Sequence, residues 1–553
     1  MLYSTFFNFF LITIIIGYSY IFKNYLKKKD NQIQNLDLLY GLFILIFLSL
    51  ILNFFLPLNF YFYPIVIIGF SSFIICVYKK NLKINLFYYL LLIFAYIFII
   101  YAQGENVDSP MYHHQIIKWL HNYKISLGLS NLEIRFGDNS LWFNFLSLFK
   151  FKFKNFNSIY TLNIIPFSIL TYEILKKKKT LGYLFLALSL SFLFFFSYLH
   201  PFQNGVILNH LHNPEVDTIG MVFFIFSFYL LLMFFDEKKK EIFYFLVLSS
   251  SICFFIKLSY IGVTLFPLLV LIGFYKKNLV EILKTKLIFF VILLFIFWII
   301  KNLLVSGCLI FPLNFTCINV VWSPGVDEIE TYKNVVKGFA RDTRDRLRYN
   351  DFNHTIHTFN WFLPWFKDYA LNTSLLKISY IIILFTSLFF LIIKRYTKFL
   401  NINLNNGKKH LYVLFVIFIN FLVWFQAPEI RFGWGTIISL NCYFLSILFF
   451  YNIFFKKINP NITKYFTIFF LLILIFDNKK NLNSQNLFNP YLAKIDYSKI
   501  VKIFDLEDIS IYRSTNWKCY DFKEICVNSP KDEYFLEKKF GHLIFTKHKM
   551  IEK

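Results

Sequence analysis

Long apolar runs, each ended by a polar break, constrain this chain more than any other feature. A membrane-spanning helix needs about 20 mostly apolar residues, and segments 36–56, 84–102, 287–304 and 411–427 meet that requirement. The chain as a whole is 57% hydrophobic and 22% aromatic, well above the composition of soluble domains. The pattern therefore predicts an all-α polytopic membrane protein.

Fourteen such segments are predicted as transmembrane helices. They lie near 3–22, 36–56, 60–78, 84–102, 157–175, 180–198, 218–235, 242–256, 259–275, 287–304, 376–393, 411–427, 436–455 and 463–476. Lysine clusters occupy every second break, and such clusters mark cytoplasmic loops. We therefore expect a multi-span domain over 1–476 with extracytoplasmic loops 103–156, 199–217 and 305–375, followed by a small extracytoplasmic α/β domain over 477–553.

The strongly basic balance has the same explanation. The formal net charge is +25, and cytoplasmic lysine clusters that face an anionic leaflet account for it. The expected partner is thus the lipid bilayer, and nucleic acid is not an expected partner. The predicted location is the inner or plasma membrane, crossed many times, with the active face outside the cytoplasm.

Two cysteine pairs lie in predicted extracytoplasmic segments. Cys308 and Cys317 share one outer loop, and Cys519 and Cys526 share the C-terminal tail. Short spacings in an oxidising compartment are typical of local disulfides. Both pairs are therefore predicted to be oxidised.

The first outer loop carries the leading candidate for acid–base chemistry. In GENVDSPMYHHQ, Asp108 directly follows an apolar run and is close in sequence to Tyr112, His113 and His114. A carboxylate at that border suits a general base acting on a hydroxyl group. The alternative is a helix cap, since Asp or Ser followed by Pro is a common helix start. Segment 112–124 has helical spacing and is predicted to lie in the membrane interface.

The second outer loop ends in two more acids, Glu215 and Asp217, just before the next apolar run. Acids at the membrane border are costly and are functional candidates. The alternative is that they favour a helix start through its macrodipole. The histidines His210 and His212 precede them, but their spacing relative to His113 matches no strong metal motif, so no metal site or other cofactor is predicted.

Three basic residues on the same predicted face are candidates for binding a substrate phosphate: Arg135, Lys301 and Arg431. An arginine fork matches phosphate geometry. Arg431 has the alternative of an ion pair with neighbouring Glu429, and Lys301 has the alternative of extending its ammonium towards the interface.

The chain resembles the GT-C superfamily of integral-membrane glycosyltransferases. The resemblance lies in an Asp in the first large outer loop, a second acidic loop, many spans and an outer C-terminal domain. The chain is more closely similar to a group of bacterial multi-span membrane proteins with a GT-C-like layout. The strings that carry this likeness are DSPMYH, GLSNLEIRFGDNSLWF, KNLLVSGCLIFP, APEIRFG and WKCYDFKEICVNSP.

The resemblance implies an inverting transfer of a sugar from a polyprenyl-phosphate-linked donor to a cell-envelope glycan or lipid acceptor. Asp108 would serve as base or acceptor-orienting group, with Glu215 or Asp217 as the second acid. The alternatives are an envelope polysaccharide polymerase or ligase, a lipid-linked glycan flippase or transporter, and a structural assembly protein. A transporter is expected to carry charged or broken spans at mid-membrane. The predicted spans are nearly free of charge, which favours an enzyme.

Overall fold

The protein is mainly helical in the part that the computed structural model describes. The described residues are 1–26, 32–100, 108–154, 156–176, 180–199, 207–341, 358–371, 376, 378–379, 381–382, 405–450, 460–479, 496–506, 509–527, 535–539 and 542–546. The predicted segment 376–393 therefore lies almost entirely outside them.

The helices follow the apolar runs. In the first half of the chain they are α1 (Leu2–Tyr25), α2 (Leu38–Phe55), α3 (Phe62–Tyr78), α4 (Leu86–Ile100), α5 (His114–Asn122), α6 (Leu129–Leu132), α7 (Leu141–Leu148), α8 (Ile164–Tyr172), α9 (Leu181–Leu199), α10 (Val216–Glu237) and α11 (Lys240–Ile256). In the second half they are α12 (Leu265–Phe274), α13 (Leu279–Leu283), α14 (Lys286–Ser306), α15 (Val326–Arg341), α16 (Phe362–Pro364), α17 (Asn405–Phe425), α18 (Ile430–Phe450) and α19 (Pro460–Lys479).

Five helical segments of the described chain are long and apolar enough to cross a membrane: Leu2–Tyr25, Asn35–Phe55, Leu58–Tyr78, Val216–Glu237 and Lys286–Ser306. A sixth forms if Leu258–Phe274 and Lys276–Leu283, which meet at 95°, count as one broken span. The other apolar helices are shorter, among them α4, α8 and part of α17. The chain thus has the helices of a membrane protein.

The centre of the helical domain is α10. Its apolar side chains surround the helix axis, and an apolar stretch of 18 residues within it is entirely buried, against α9, α11 and α18. A helix that is apolar on all sides belongs in a core. By contrast, only 17% of the corresponding 18-residue stretch is buried in the Leu58–Tyr78 segment, and only 33% in α14. The outward faces of these two helices are apolar, as expected for contact with lipid.

The predicted span over 157–175 is shorter in the structure, because its first residues turn. Asn157 accepts a hydrogen bond from the amide of Ile159 at 3.4 Å, and Ser158 donates its hydroxyl to the Phe149 carbonyl at 2.7 Å. Such side-chain bonds to backbone compete with helix formation. The regular helix α8 therefore begins at Ile164.

The C-terminal segment is made of strands. A short hairpin, β1 (Lys152–Phe153) and β2 (Phe156–Asn157), lies earlier in the chain. The C-terminal strands are β3 (Ile500–Leu506), β4 (Ile509–Ser514), β5 (Ile525–Val527), β6 (Phe535–Lys539) and β7 (His542–Thr546). β3 pairs antiparallel with β4, β4 parallel with β5, and β6 antiparallel with β7. In the predicted α/β domain, residues 477–479 are thus the end of α19, and the described residues from 496 onward form small β-sheets preceded by a 3-10 turn, Tyr497–Lys499.

Both predicted disulfides are confirmed. Cys308 is bonded to Cys317, and Cys519 to Cys526. The first closes a loop beside α15, and the second lies where the C-terminal strands meet the helical domain. Cys76, Cys253 and Cys442 remain as buried thiols.

Candidate functional site

Carboxylates from distant parts of the chain meet around one guanidinium. Arg431 Nη1 lies 2.7 Å from Asp108 Oδ2 and 3.3 Å from Glu215 Oε1. The same nitrogen lies 3.9 Å from Asp217 Oδ2, and Arg431 Nε lies 3.6 Å from Glu429 Oε1. We call Arg431 with these four acids the Arg431 cluster. The structure therefore brings together all three predicted catalytic acids and one predicted phosphate-binding residue.

The cluster forms because two helices begin side by side. Glu215 precedes the first residue of α10, and Arg431 is the second residue of α18. The two helices approach closely at Gly435, where a Cβ atom would lie 2.9 Å from the Cβ of Phe224. The amide of Gly435 also donates to the Tyr260 hydroxyl at 3.1 Å. A side chain at 435 would separate the helices and with them the acids from the arginine.

Asp108 does not act as a helix cap. It directly precedes a π-helical turn, Ser109–His113, but its side chain makes no capping hydrogen bond to that turn. Its own backbone is already helical, with φ −77° and ψ −34°, whereas a capping residue is extended. The carboxylate points instead to Arg431. The capping alternative is therefore wrong for the side chain of Asp108.

Two residues that were not predicted as catalytic or phosphate-binding adjoin the cluster. Lys257 forms an ion pair with Asp217, and its ammonium lies 4.2 Å from the centroid of the Phe432 ring. His210 Nδ1 contacts Glu215 Oε2. A signal for Lys257 was present, because a lone lysine in a two-residue break on the predicted outer side runs against the usual charge distribution.

The electrostatics favour the ionised forms of Asp108 and Glu215. Burial raises the pKa of Asp108, but the charge of Arg431 and a hydrogen bond from it lower the pKa below its ordinary value. Burial also opposes ionisation of Glu215, and His210 and Arg431 again lower its pKa. Burial lowers the pKa of His113 to about 4, so this imidazole is neutral at pH 7.

The cluster has an accessible front and a buried back. The side chains of Asp108 and Arg431 are 29% and 22% exposed, whereas those of Glu215 and Asp217 are 1% and 6% exposed. The buried acids fix the guanidinium from behind, since an ion pair with several hydrogen-bonded partners holds one geometry. A ligand reaching the cluster would therefore meet Asp108 and Arg431 first.

Two further predicted residues lie next to this front. Tyr112 follows Asp108 by four residues, and the Arg135 guanidinium lies 5.1 Å from the centroid of the Tyr112 ring. Arg135 Nε is bonded to Glu133 Oε1 at 2.9 Å. Arg135 is thus already paired, but it remains on the same surface as Asp108.

Lys301 and His114 are not part of the cluster. The ammonium of Lys301 donates to Asn144 Oδ1 at 2.6 Å and is buried in α14. His114 packs against Tyr160, with 5.1 Å between ring centroids. Across the described ranges, no group of three or more His, Cys, Asp or Glu side chains is arranged to hold a metal ion.

The C-terminal segment holds the turn that follows Asp108. The amides of Cys519 and Tyr520 both donate to the Pro110 carbonyl at 2.8 Å. The Gln115 side chain donates to the Tyr520 carbonyl at 2.9 Å and accepts from the Cys526 amide at 3.1 Å. We call residues 519–526, closed by their disulfide, the C-terminal clamp.

The clamp also changes the interpretation of α5. Residues His114 to Leu120 are all buried, so this helix packs inside protein rather than lying in the membrane interface as predicted. Its amphipathic spacing is real, but Gln115 and Lys118 face the C-terminal segment. Lys118, for example, donates to the Glu524 carbonyl at 3.3 Å.

Removing the clamp disulfide should loosen the turn beside Asp108. In a Cys519→Ser, Cys526→Ser variant, amide hydrogen exchange in the peptide 109–118 should accelerate by about tenfold or more, because the loop that orders Pro110 and Gln115 is no longer closed. The matched control is Cys308→Ser with Cys317→Ser, which should leave that peptide unchanged. Equal exchange in all three proteins would show that the clamp does not hold the turn.

Comparison with known proteins gives a family. No curated protein and no solved structure matches the chain. One family model, described as "Domain of unknown function (DUF8201)", matches residues 1–438. The matched range contains every residue of the Arg431 cluster, whereas the C-terminal clamp lies beyond it. Because the match covers 438 of 553 residues, the chain belongs to the DUF8201 family.

Proposed function

We propose that the protein is a membrane glycosyltransferase that moves a sugar from a polyprenyl-phosphate-linked donor to a cell-envelope glycan or lipid. The observation that supports this most is the Asp108–Arg431 pair, which is partly exposed and backed by buried Glu215 and Asp217. The cluster lies where α10 and α18 begin. That position suits an enzyme at the membrane surface better than a transporter with a site at mid-membrane.

In this proposal the acceptor hydroxyl donates a hydrogen bond to Asp108. The acceptor oxygen attacks the anomeric carbon, the bond from that carbon to the phosphate oxygen breaks, and polyprenyl phosphate leaves with the bonding electrons. The hydroxyl proton passes to the Asp108 carboxylate. A carboxylate with a lowered pKa is a weak base, so its main contribution is to orient the acceptor and stabilise positive charge at the reacting sugar.

The cationic groups would hold the donor phosphate. Arg431 presents its guanidinium at the front of the cluster, and Arg135 lies nearby over Tyr112. Lys257, paired with Asp217, adds a third positive charge. Positioned cations stabilise the charge that develops on a leaving phosphate. The four acids outnumber the cations, and this favours release of the anionic product.

The proposal is tested first by the lipid that the protein carries. Protein purified in mild detergent should retain a polyprenyl-phosphate sugar, identified by mass spectrometry of the extracted lipid. Incubation with an envelope acceptor fraction should then consume that donor. Protein that carries ordinary phospholipid alone, and that leaves an added polyprenyl-phosphate sugar intact, would contradict the proposal.

The proposal includes fourteen spans and an extracytoplasmic site. It is supported by contacts among the segments expected outside: Asp108, Glu215, Arg431 and the clamp all meet at one end of the bundle. Segments in contact cannot lie on opposite sides of a bilayer.

Reporter fusions should place that end outside the cytoplasm. A reporter fused after residue 179 or 240 should be cytoplasmic, and one fused after residue 480 extracytoplasmic, because lysine clusters retain short loops inside. Alkaline phosphatase and a fluorescent protein that folds only in the cytoplasm give opposite readouts at each position. Phosphatase activity at 179 or 240 would show that the orientation is opposite to the one proposed.

A further inference from the structure

Asp138 and Tyr332 form a hydrogen-bonded pair beside the Arg431 cluster. The Tyr332 hydroxyl, on α15, donates to Asp138 Oδ2 at 2.7 Å. Tyr112 is near this pair and the cluster: the Arg135 guanidinium lies 5.1 Å from its ring centroid, and burial and then the charges of Asp108 and Asp138 raise its pKa. Both carboxyl groups therefore act on one phenol.

The pair is held rigidly. Asn139, next to Asp138, donates its side-chain amide to the Trp298 carbonyl at 3.3 Å, and the Trp298 indole donates back to the Asn139 carbonyl at 3.0 Å. The Tyr332 ring stacks on Phe311, with centroids 5.6 Å apart and an interplanar angle of 24°. Side chains fixed in this way are preorganised for binding.

The pair also remains open to water. Asp138, Tyr332, Tyr112 and Arg135 are all partly exposed. Burial nevertheless raises the pKa of Asp138 to about 6, against the lowering effects of the Tyr332 hydrogen bond and the Lys257 and Arg135 charges. A carboxyl group that is desolvated and yet partly exposed can accept a hydrogen bond from a ligand. Asp138 shares its surroundings with two phenol groups and a guanidinium, and this set suits a ligand with several hydroxyl groups.

We propose that Asp138 and Tyr332 form a second subsite, which binds neighbouring hydroxyl groups of a neutral sugar. Asp138 accepts from one hydroxyl group, and the Tyr332 hydroxyl bonds to the next. The inference rests on the proposed function for the role of this sugar, which is the acceptor whose free hydroxyl reaches Asp108. If the hydrogen bond between Tyr332 and Asp138 had only a structural role, added sugar would not change the reactivity of Asp138.

Carboxyl labelling tests the subsite without any transfer reaction. Full-length protein in detergent is treated with a water-soluble carbodiimide and an amine at a pH near the pKa of Asp138, and modified peptides are quantified by mass spectrometry. Glucose, galactose and N-acetylglucosamine are the probes. At least one of them should lower labelling of Asp138 by about tenfold. Asp327, which is exposed on the same helix α15, is the internal control and should be labelled equally with and without sugar.

Variants separate binding from folding. Tyr332→Phe keeps the ring stacked on Phe311 but removes the hydroxyl, so about tenfold more sugar should be needed for the same protection of Asp138. In Asp327→Asn, the matched control, Asp138 should be protected at the same sugar concentration as in the unaltered protein. Asp138 that stays unlabelled, or that is labelled equally with every sugar, overturns the subsite. Protection without glycosyl transfer supports the subsite and rejects the transferase, and transfer without protection does the reverse.

Discussion

Asp108→Asn should lower glycosyl transfer by about 10²–10⁴-fold, the usual loss when a positioned acid–base group is removed. The amide keeps the shape of the side chain and an oxygen to face Arg431, but it carries no charge and cannot take the acceptor proton. Stability should change little, because Arg431 keeps three other carboxylate partners. The measurement is donor turnover at matched protein level.

The control for this result is Asp108→Glu, which restores the charge on a longer side chain and should recover part of the turnover. Thermal unfolding in detergent should place both variants close to the unaltered protein. An asparagine variant with near-normal turnover would remove Asp108 from the mechanism, and Glu215 and Asp217 would become the acids to test.

Arg431→Leu should have the largest effect on stability. It leaves the four acids of the cluster without their shared cation, two of them buried. Breaking a buried ion pair by removing one partner costs about 3–5 kcal/mol. We expect a clear fall in the detergent melting temperature together with loss of turnover. Arg513→Leu, on the exposed face of β4, is the matched control and should change stability by about 0.5 kcal/mol or less.

A second substitution separates charge from packing. If unpaired acids destabilise Arg431→Leu, then adding Glu215→Gln should restore part of the lost stability, because one buried charge is removed with its partner. The double variant should still lack turnover. If Glu215→Gln instead adds its own full cost to that of Arg431→Leu, the two side chains are energetically independent and the cluster does not act as a unit.

Charge pattern alone predicted which residues would share a surface. The alternation of lysine clusters placed Asp108, Glu215 and Arg431 on one side, and the structure joins them. Their partners were harder to predict, because α10 is apolar on all sides and its sequence does not say which face meets which neighbour. Lys301 shows the same limit. It was expected near the phosphate, but its direction on α14 takes it to Asn144.

Contacts between distant segments account for the other differences. Asp138 was not recognised because its partner, Tyr332, is 194 residues away. The burial of α5 includes contacts with the clamp, and no local sequence pattern predicts that these two segments meet. In the C-terminal segment the described residues from 500 onward form small β-sheets, and their strand pairing could not be predicted because short strands carry a weaker sequence pattern than long apolar runs.

The C-terminal clamp is synthesised long after the turn that it holds. Gln115 and Tyr520, which bond each other, are separated by 405 positions. At about 5–20 residues per second, a ribosome needs roughly 20–80 seconds to make the chain between them. The turn beside Asp108 leaves the ribosome early, and during that interval it lacks its hydrogen bonds to the clamp. A nascent or truncated chain therefore carries Asp108, Glu215 and Arg431 before the clamp can hold the turn beside Asp108. That turn gains its hydrogen bonds only when residues 519–526 have been made and their disulfide has closed.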